Sequence, residues 1–453
     1  MLCAAQLMVI LDITAVNVAL PDLVQGLGIH GSDIGWTITS YSLIFGSLLL
    51  LGGRAADLVG PRRMFMAGLG LFTCTSVVAA TAGGAVTLFA ARGAQGLGAA
   101  MLSPAALSIL MRTFREGTPR AHALAAWGAV GGAGAAVGVL MGGLLTELVG
   151  WQAIFLVNVP VGVGLAIAAR RLIAADQTGP RWSGLDLRGA ALATTGLGAI
   201  VYSLSQAADS GWASVEVLAT GGAGLIALVG FVAVERRAVH PLLRIDRLAD
   251  RGVGGGLTMM IAAAGVLFGL FLLVSLYMQE VLGTGPLMTG LGFLPLAVAL
   301  AAGVHVGSRA LTHVGVRAPM VAGFAVTAAG MLLLSAADPG GSYLTDVIPG
   351  TLVAGLGLGV VLVSVSVSVM TGAKDDETGM LSGLNTTGHE IGGSIGIAIV
   401  ATIAAGSAGL DVDDAFLVLA GLAVLSSLAA LVVVPSAATF LPKLRLAPRV
   451  AIH

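Results

Sequence analysis

The chain reads as a succession of apolar runs separated by short charged or turn-rich breaks. Each run is close to the roughly 20 residues that a helix needs to cross a bilayer. Splitting the chain at the breaks predicts fourteen spans, at 1–20, 34–55, 64–82, 86–111, 122–145, 152–170, 186–206, 215–234, 252–277, 288–308, 318–336, 344–371, 379–406 and 415–434. Stretches such as Ala190 to Gln206, Ala219 to Val234 and Ala415 to Val434 carry no charge at all. The runs are continuous Ala, Leu, Val and Gly, not the apolar and polar alternation of a membrane barrel strand. Backbone groups must then be satisfied within each segment, and the predicted class is an all-α membrane protein.

Basic residues test this division independently, because cytoplasmic loops collect Lys and Arg. Alternate breaks hold all 22 Lys and Arg except Arg92, beginning with Arg54, Arg62 and Arg63 and ending with Lys443, Arg445 and Arg449. The intervening breaks carry only acids, among them Asp22, Glu147, Asp209, Glu280 and Asp346. An even number of spans with both termini cytoplasmic follows. Gly52 to Arg62 agrees with Gly307 to Arg317 at six of eleven positions, and both segments follow the second span of a six-span set. A parallel duplication is therefore predicted: an N-terminal six-helix bundle at 1–175, two extra transmembrane helices with linkers at 176–250, a C-terminal six-helix bundle at 251–435 and a cytoplasmic tail at 436–453.

Composition narrows the function classes. Hydrophobic residues make up 57% of the chain and charged ones 10%, against about 25% charged in soluble domains, so no soluble core is in prospect. A net charge of -1 offers no basic face for nucleic acid. Cys3 and Cys74 both lie in apolar runs and read as packing residues, which leaves no disulfide framework or zinc cluster. No metal and no cofactor are expected. The first span starts almost at Met1 without the basic leader of a cleavable signal, so it is expected to stay, with a cytoplasmic segment missing ahead of it.

A charge inside hydrocarbon is costly and marks a functional candidate. Asp12 lies nine residues before Pro21, and Arg92 about eight residues into the fourth span from the same side, so at ~1.5 Å per residue their depths match. Arg92, alone outside the basic clusters, needs a compensating acid, and Asp12 is the best placed. Two readings stand at this point: a static buried pair that sets helix packing, or a carboxyl that takes up and releases protons. Glu390, with His389 beside it in the thirteenth span, is a second titrating candidate or a polar pair lining a cavity. The pair is not a metalloprotease signature, since no second histidine follows at i+4.

Candidate cavity residues combine aromatic or apolar walls with a few polar groups: Asn17, Trp36, Tyr41, Phe45, Gln95, Trp127, Met259, Phe268 and Asn385. Gly134, Gly138 and Gly142 share one helix face, with Gly143 beside them, and predict close approach of another helix. The glycines from Gly355 to Gly359 make no nucleotide loop, because no Lys-Ser/Thr follows and no strand precedes. The histidines are scattered and no Ser/His/Asp arrangement is visible. An enzyme is therefore not expected, and a polytopic membrane enzyme is the remote alternative.

Four segments carry a family resemblance: Leu11 to Pro21, Gly53 to Arg63, Ala91 to Gly98, and Gly131 to Gly143, where Val139 replaces a usual proline. Together they resemble the fourteen-spanner drug:proton antiporters of the major facilitator superfamily. The resemblance implies two six-helix bundles plus two extra helices, rocking about a midplane site. It implies a monomeric, proton-coupled secondary transporter exporting drugs, antibiotics or toxic metabolites across the cytoplasmic membrane, with the proton gradient as energy source. Its partners would be an amphipathic small molecule, protons and the lipid bilayer. It sharpens the proton-coupling reading of Asp12 and Arg92, whereas Glu390 stands where the family usually has a glutamine and is a proton-coupling candidate by its depth in the span alone. It assigns cytoplasmic gating to Gly53, Asp57, Gly60, Arg62 and Arg63, with Asp57 latched to the two arginines, and places the glycine face of the fifth span between the halves. A carrier for one metabolite, importing or exporting, is the alternative.

Overall fold

The computed structural model describes residues 1–29, 36–114, 118–176, 179, 186–239, 241–337, 341–374, 377–404 and 412–445. Among the described residues every regular element is a helix. The first set is α1 (Leu2–Leu27), α2 (Trp36–Val59), α3 (Pro61–Ala80), α4 (Ala85–Thr113), α5 (Thr118–Val149), α6 (Ala153–Leu156) and α7 (Asn158–Leu172). Next come α8 (Leu187–Ser210), α9 (Val215–Glu235) and the short α10 (Ile245–Ala249). The second set is α11 (Val253–Leu276), α12 (Pro286–Gly292), α13 (Leu294–Val314), α14 (Arg317–Leu334), α15 (Ile348–Met370), α16 (Thr378–Ala404), α17 (Val412–Val433) and α18 (Ala437–Arg445). A π turn at Tyr277–Val281 extends α11, and another at Tyr343–Val347 leads into α15. Eleven described stretches are long and apolar enough to cross a membrane; the molecule is a multi-pass membrane protein.

Three element ends differ from the sequence reading for local reasons. The first span does not stop before Pro21: α1 runs on to Leu27 and is closed by Gly28, whose left-handed φ of 61° lets its N–H reach Gln25 and Val24, the usual terminator of a helix. The sixth span breaks into α6 and α7 just before Pro160, which has no N–H to give Leu156. The tenth breaks into α12 and α13 ahead of Pro295 for the same reason.

The two sets repeat one pattern of neighbours. In the first, α4 packs on α2 and α3, and α1 on α5; in the second, α15 packs on α13 and α14, and α11 on α16. The sets meet along two flanks, α2 against α16 and α5 against α13. At the end that carries the arginine-rich loops α4 also meets α16, and α15 meets α5. The inserted pair, α8 and α9, packs on itself and lays α8 over both α2 and α16. Trp36 of α2 stacks its ring 6.2 Å from Tyr202 of α8, and Trp212 at the turn after α8 donates its Nε1 hydrogen to Thr402 Oγ1 of α16 at 2.8 Å.

Candidate functional site

Asp12 and Arg92 form an ion pair whose side chains are 0% and 1% exposed. α1 supplies the acid and α4 the guanidinium, and α2, α3 and α7 complete the cluster. Asp12 also accepts from Gln95 Nε2 at 3.2 Å and from Asn158 Nδ2 at 2.8 Å. Gln95 returns its oxygen to Arg92 at 3.0 Å and donates to Ser76 Oγ of α3 at 2.8 Å. Arg92 Nε reaches the Thr37 carbonyl at 3.4 Å, and its guanidinium lies 4.4 Å from the centre of the Tyr41 ring. Cation–π contact and charge-assisted bonds of this kind are strong where water is excluded. Asn158 opens α7, so the break before Pro160 sets it facing the acid; the sequence reading did not find it, and an asparagine in an apolar span was the available signal.

The cluster is closed to the central cavity. That cavity lies between the two sets, with Gln6, Ile10 and Thr14 of α1, Phe45 of α2, Trp127 of α5, Phe268 and Phe271 of α11, Ser366 of α15 and Asn385, Thr386, His389 and Glu390 of α16 on its wall. The cavity holds about 90 Å³, smaller than a drug-sized site, so an occupant of that size needs the two sets to part. Phe45, Trp127, Phe268, Asn385, His389 and Glu390 thus stand where cavity residues were expected. Gln95 and Tyr41 belong to the sealed cluster. Met259 is buried away from the wall, which Met260 lines instead. Trp36 is on the outer face, against Tyr202. Asn17 is helical, but its side chain lies outside the described residues. Tyr41 links the two places, its ring 5.5 Å from Phe45.

At the arginine-rich end Asp57 does not latch onto Arg62 and Arg63. Its oxygens accept the N–H groups of Gly379 and Met380, each at 2.9 Å, and Arg112 Nη2 at 3.1 Å. A carboxylate there matches the positive end of α16, so Asp57 clasps the opposite set of helices. The start of α3 is capped instead by Asp176, which accepts from the N–H of Arg62 at 3.2 Å and of Arg63 at 2.9 Å. Gly60 has φ 112°, and a Cβ there would strike that same carboxylate. Gly53 fits backbone to backbone against α16, its absent Cβ pointing at Gly379 and Gly383. Ser108 Oγ and Thr378 Oγ1, 3.0 Å apart, continue the closure, and Glu377 takes Arg244 Nη1 at 2.6 Å.

The glycine face of α5 is turned the other way from the expectation. Gly134 faces Leu7 and Ile10, Gly138 faces Leu11 and Thr14, and a Cβ on Gly142 would sit 2.7 Å from Ala15 Cα. All three seat α1 inside the first set; Gly143 is buried. The contact between sets falls one helix face round, where Val139 and Leu140 meet Gly290 of α12.

A family model described as Major Facilitator Superfamily matches residues 2–397. The puromycin resistance protein pur8 of Streptomyces alboniger is 39% identical over 91% of this chain and 82% of its own length. The cephamycin export protein CmcT of Amycolatopsis lactamdurans is 37% identical over 88% of this chain and 83% of its own. Among solved structures, the human organic anion transporter MFSD10 superposes with a TM-score of 0.68 at 14% identity, covering 95% of this chain and 97% of that one, a likeness of fold.

Proposed function

The chain belongs to the major facilitator superfamily, and from that premise we propose that it exports amphipathic drugs, antibiotics or toxic metabolites across the cytoplasmic membrane in exchange for protons. The observation that carries this reading is the sealed pair of Asp12 and Arg92, held by Gln95 of α4 and by Asn158 of α7. An ionisable pair buried at membrane depth is costly, and this one sits one ring away from the cavity wall, through Tyr41 and Phe45. Protonating Asp12 removes half of the pair and frees Arg92 and Asn158 to shift with α4 and α7. Movement of α2, which carries Tyr41, Phe45 and Asp57, then connects the proton to the cavity and to the clasp on α16. Two sets of helices that repeat one neighbour pattern can rock about the cavity between them.

In this reading there are fourteen spans, counting α6 with α7 and α12 with α13, arranged as two six-helix bundles and the inserted pair. Both termini and the arginine-rich end are cytoplasmic, the Asp57 clasp closes the cytoplasmic mouth, and one copy of the chain suffices. A relative that exports cephamycin favours outward movement. The test loads everted vesicles with an acidic interior and asks which members of a panel of antibiotics and dyes dissipate the gradient. Vesicles carrying the chain that behave like vesicles without it, for every compound, would sink the reading.

A further inference from the structure

A second cavity opens at the arginine-rich end of the second set of helices. It holds about 190 Å³, less than a drug-sized site needs and ample for one headgroup phosphate. Its wall carries two guanidinium groups, Arg251 and Arg317, and one carboxylate, Asp250. The other polar side chains on it are hydroxyls, those of Ser368, Thr371, Ser436 and Thr439. Asp250 is engaged as a cap, accepting the Gly252 N–H at 2.8 Å where α11 begins. Arg317 is fixed in place, because its Nε and Nη2 both donate to the Val434 carbonyl, at 2.8 and 2.5 Å, just past the end of α17. Its Nη1 and the whole Arg251 guanidinium have no partner among the described residues. Three helices, α11, α14 and α18, start at this wall, and the open N–H groups of a helix start favour an anion. Against them stand the ends of α15 and α17, the second of which Arg317 already holds.

We propose that this cavity binds the phosphodiester of an anionic phospholipid such as phosphatidylglycerol, gripped by Arg251 and Arg317. Two guanidinium groups against one carboxylate leave the wall one positive charge in excess, which matches the single negative charge of a phosphodiester. Guanidinium and phosphate oxygens meet in paired, charge-assisted hydrogen bonds, and basic pockets between membrane helices suit such headgroups. A lipid fits better than a free anion because an apolar track leads to the site. Leu425, Leu428 and Val432 stand exposed along one face of α17, and the chain runs on from there into Pro435 and Ser436 of the wall. Acyl chains lie against that face, with the phosphate at its end. Bound in this way the headgroup bridges the starts of α11, α14 and α18, so the lipid ties the second set together at its arginine-rich end. The proposal needs only that the chain resides in a membrane, and it stands or falls apart from export.

Native mass spectrometry and thermal scans of the purified full chain in neutral detergent test this with phosphatidylglycerol, with phosphatidylcholine, whose ammonium cancels the phosphate charge, and with inorganic phosphate. The parent should retain phosphatidylglycerol in preference to phosphatidylcholine and melt later with it. Arg251→Gln should weaken that retention by at least about fivefold and lose the thermal shift, while Arg251→Lys loses less. Since the Arg251 side chain is exposed, the lipid-free variant should melt with the parent. Arg236→Gln, at an exposed arginine off the wall, should retain the lipid like the parent. Equal retention by Arg251→Gln and the parent overturns the proposal. An equal loss in Arg236→Gln also overturns it, because the attraction is then that of a basic surface at large. Arg251-dependent binding of inorganic phosphate, with phosphatidylglycerol not held, keeps the phosphate site and overturns the lipid as its occupant. A parent with no preference between the two lipids and no response to phosphate overturns the site.

Discussion

The Asp57 carboxylate accepts the Gly379 backbone N–H at 2.9 Å, joining residues 322 positions apart from the two sets of helices. Met380 N–H takes the other oxygen, so one side chain closes two of the donors that a helix start leaves open. Charge at a helix N-terminus stabilises by up to ~2 kcal/mol in partly buried geometry. Asp57→Asn should therefore open the arginine-rich mouth, by roughly five- to thirtyfold in population. The check is maleimide labelling after Ser108→Cys in a Cys3→Ser, Cys74→Ser background, since Ser108 lies in the closure. Labelling no faster than with Asp57 intact would show that the clasp does not hold the mouth shut.

Asp12→Asn leaves Arg92 buried without its counter-charge, a change that costs about 3–5 kcal/mol in folded proteins. The variant should insert in the membrane but melt earlier, and should show no proton-driven export. Adding Arg92→Gln should recover most of the melting temperature without restoring export, because the pair's charge balance is repaired and the proton site is still gone. Export by either variant in the vesicle assay would remove Asp12 from the mechanism.

Tyr41 separates the two uses of an aromatic ring. Its hydroxyl is buried with no hydrogen-bond partner among the described residues, so Tyr41→Phe should keep or raise the melting temperature and retain export. Tyr41→Ala removes the ring from both Arg92 and Phe45 and should lose about 3–5 kcal/mol together with coupling. Loss of export in Tyr41→Phe, with the melting temperature kept, would show that the hydroxyl is required.

Gly142→Ala should destabilise by about 1–3 kcal/mol, since the added methyl meets the Ala15 backbone. Gly222→Ala on α9, where nothing lies within 4 Å, should be neutral or better. Equal thermal scans of the two proteins would mean that α1 and α5 are not held at that glycine.

Much of the architecture could be read from the chain because a bilayer imposes it. Span length and the alternation of basic breaks both answer to water and hydrocarbon, so they appear in local sequence. Asp12 and Arg92 were recognisable as partners for the same reason: two charges at matched depth in an apolar chain. Which way a helix face turns is decided by packing and was not visible. The glycines of α5 mark a close approach, but only the fold says that α1 fills it. Met259 and Met260 are chemically alike and differ by the angular step of a single residue. Asp57 stands near Arg62 and Arg63 in sequence, yet its partners lie on α16 and, through Arg112, on α4, while Asp176, more than a hundred residues further on, caps α3. No local pattern announces such a swap.

The inserted pair gives this molecule an inequivalent left and right. With α8 laid across α2 and α16, that flank gains a second layer of helix which, among the described residues, the flank of α5 against α13 does not have. In the proposed rocking, the two sets would therefore turn against a brace on one side only.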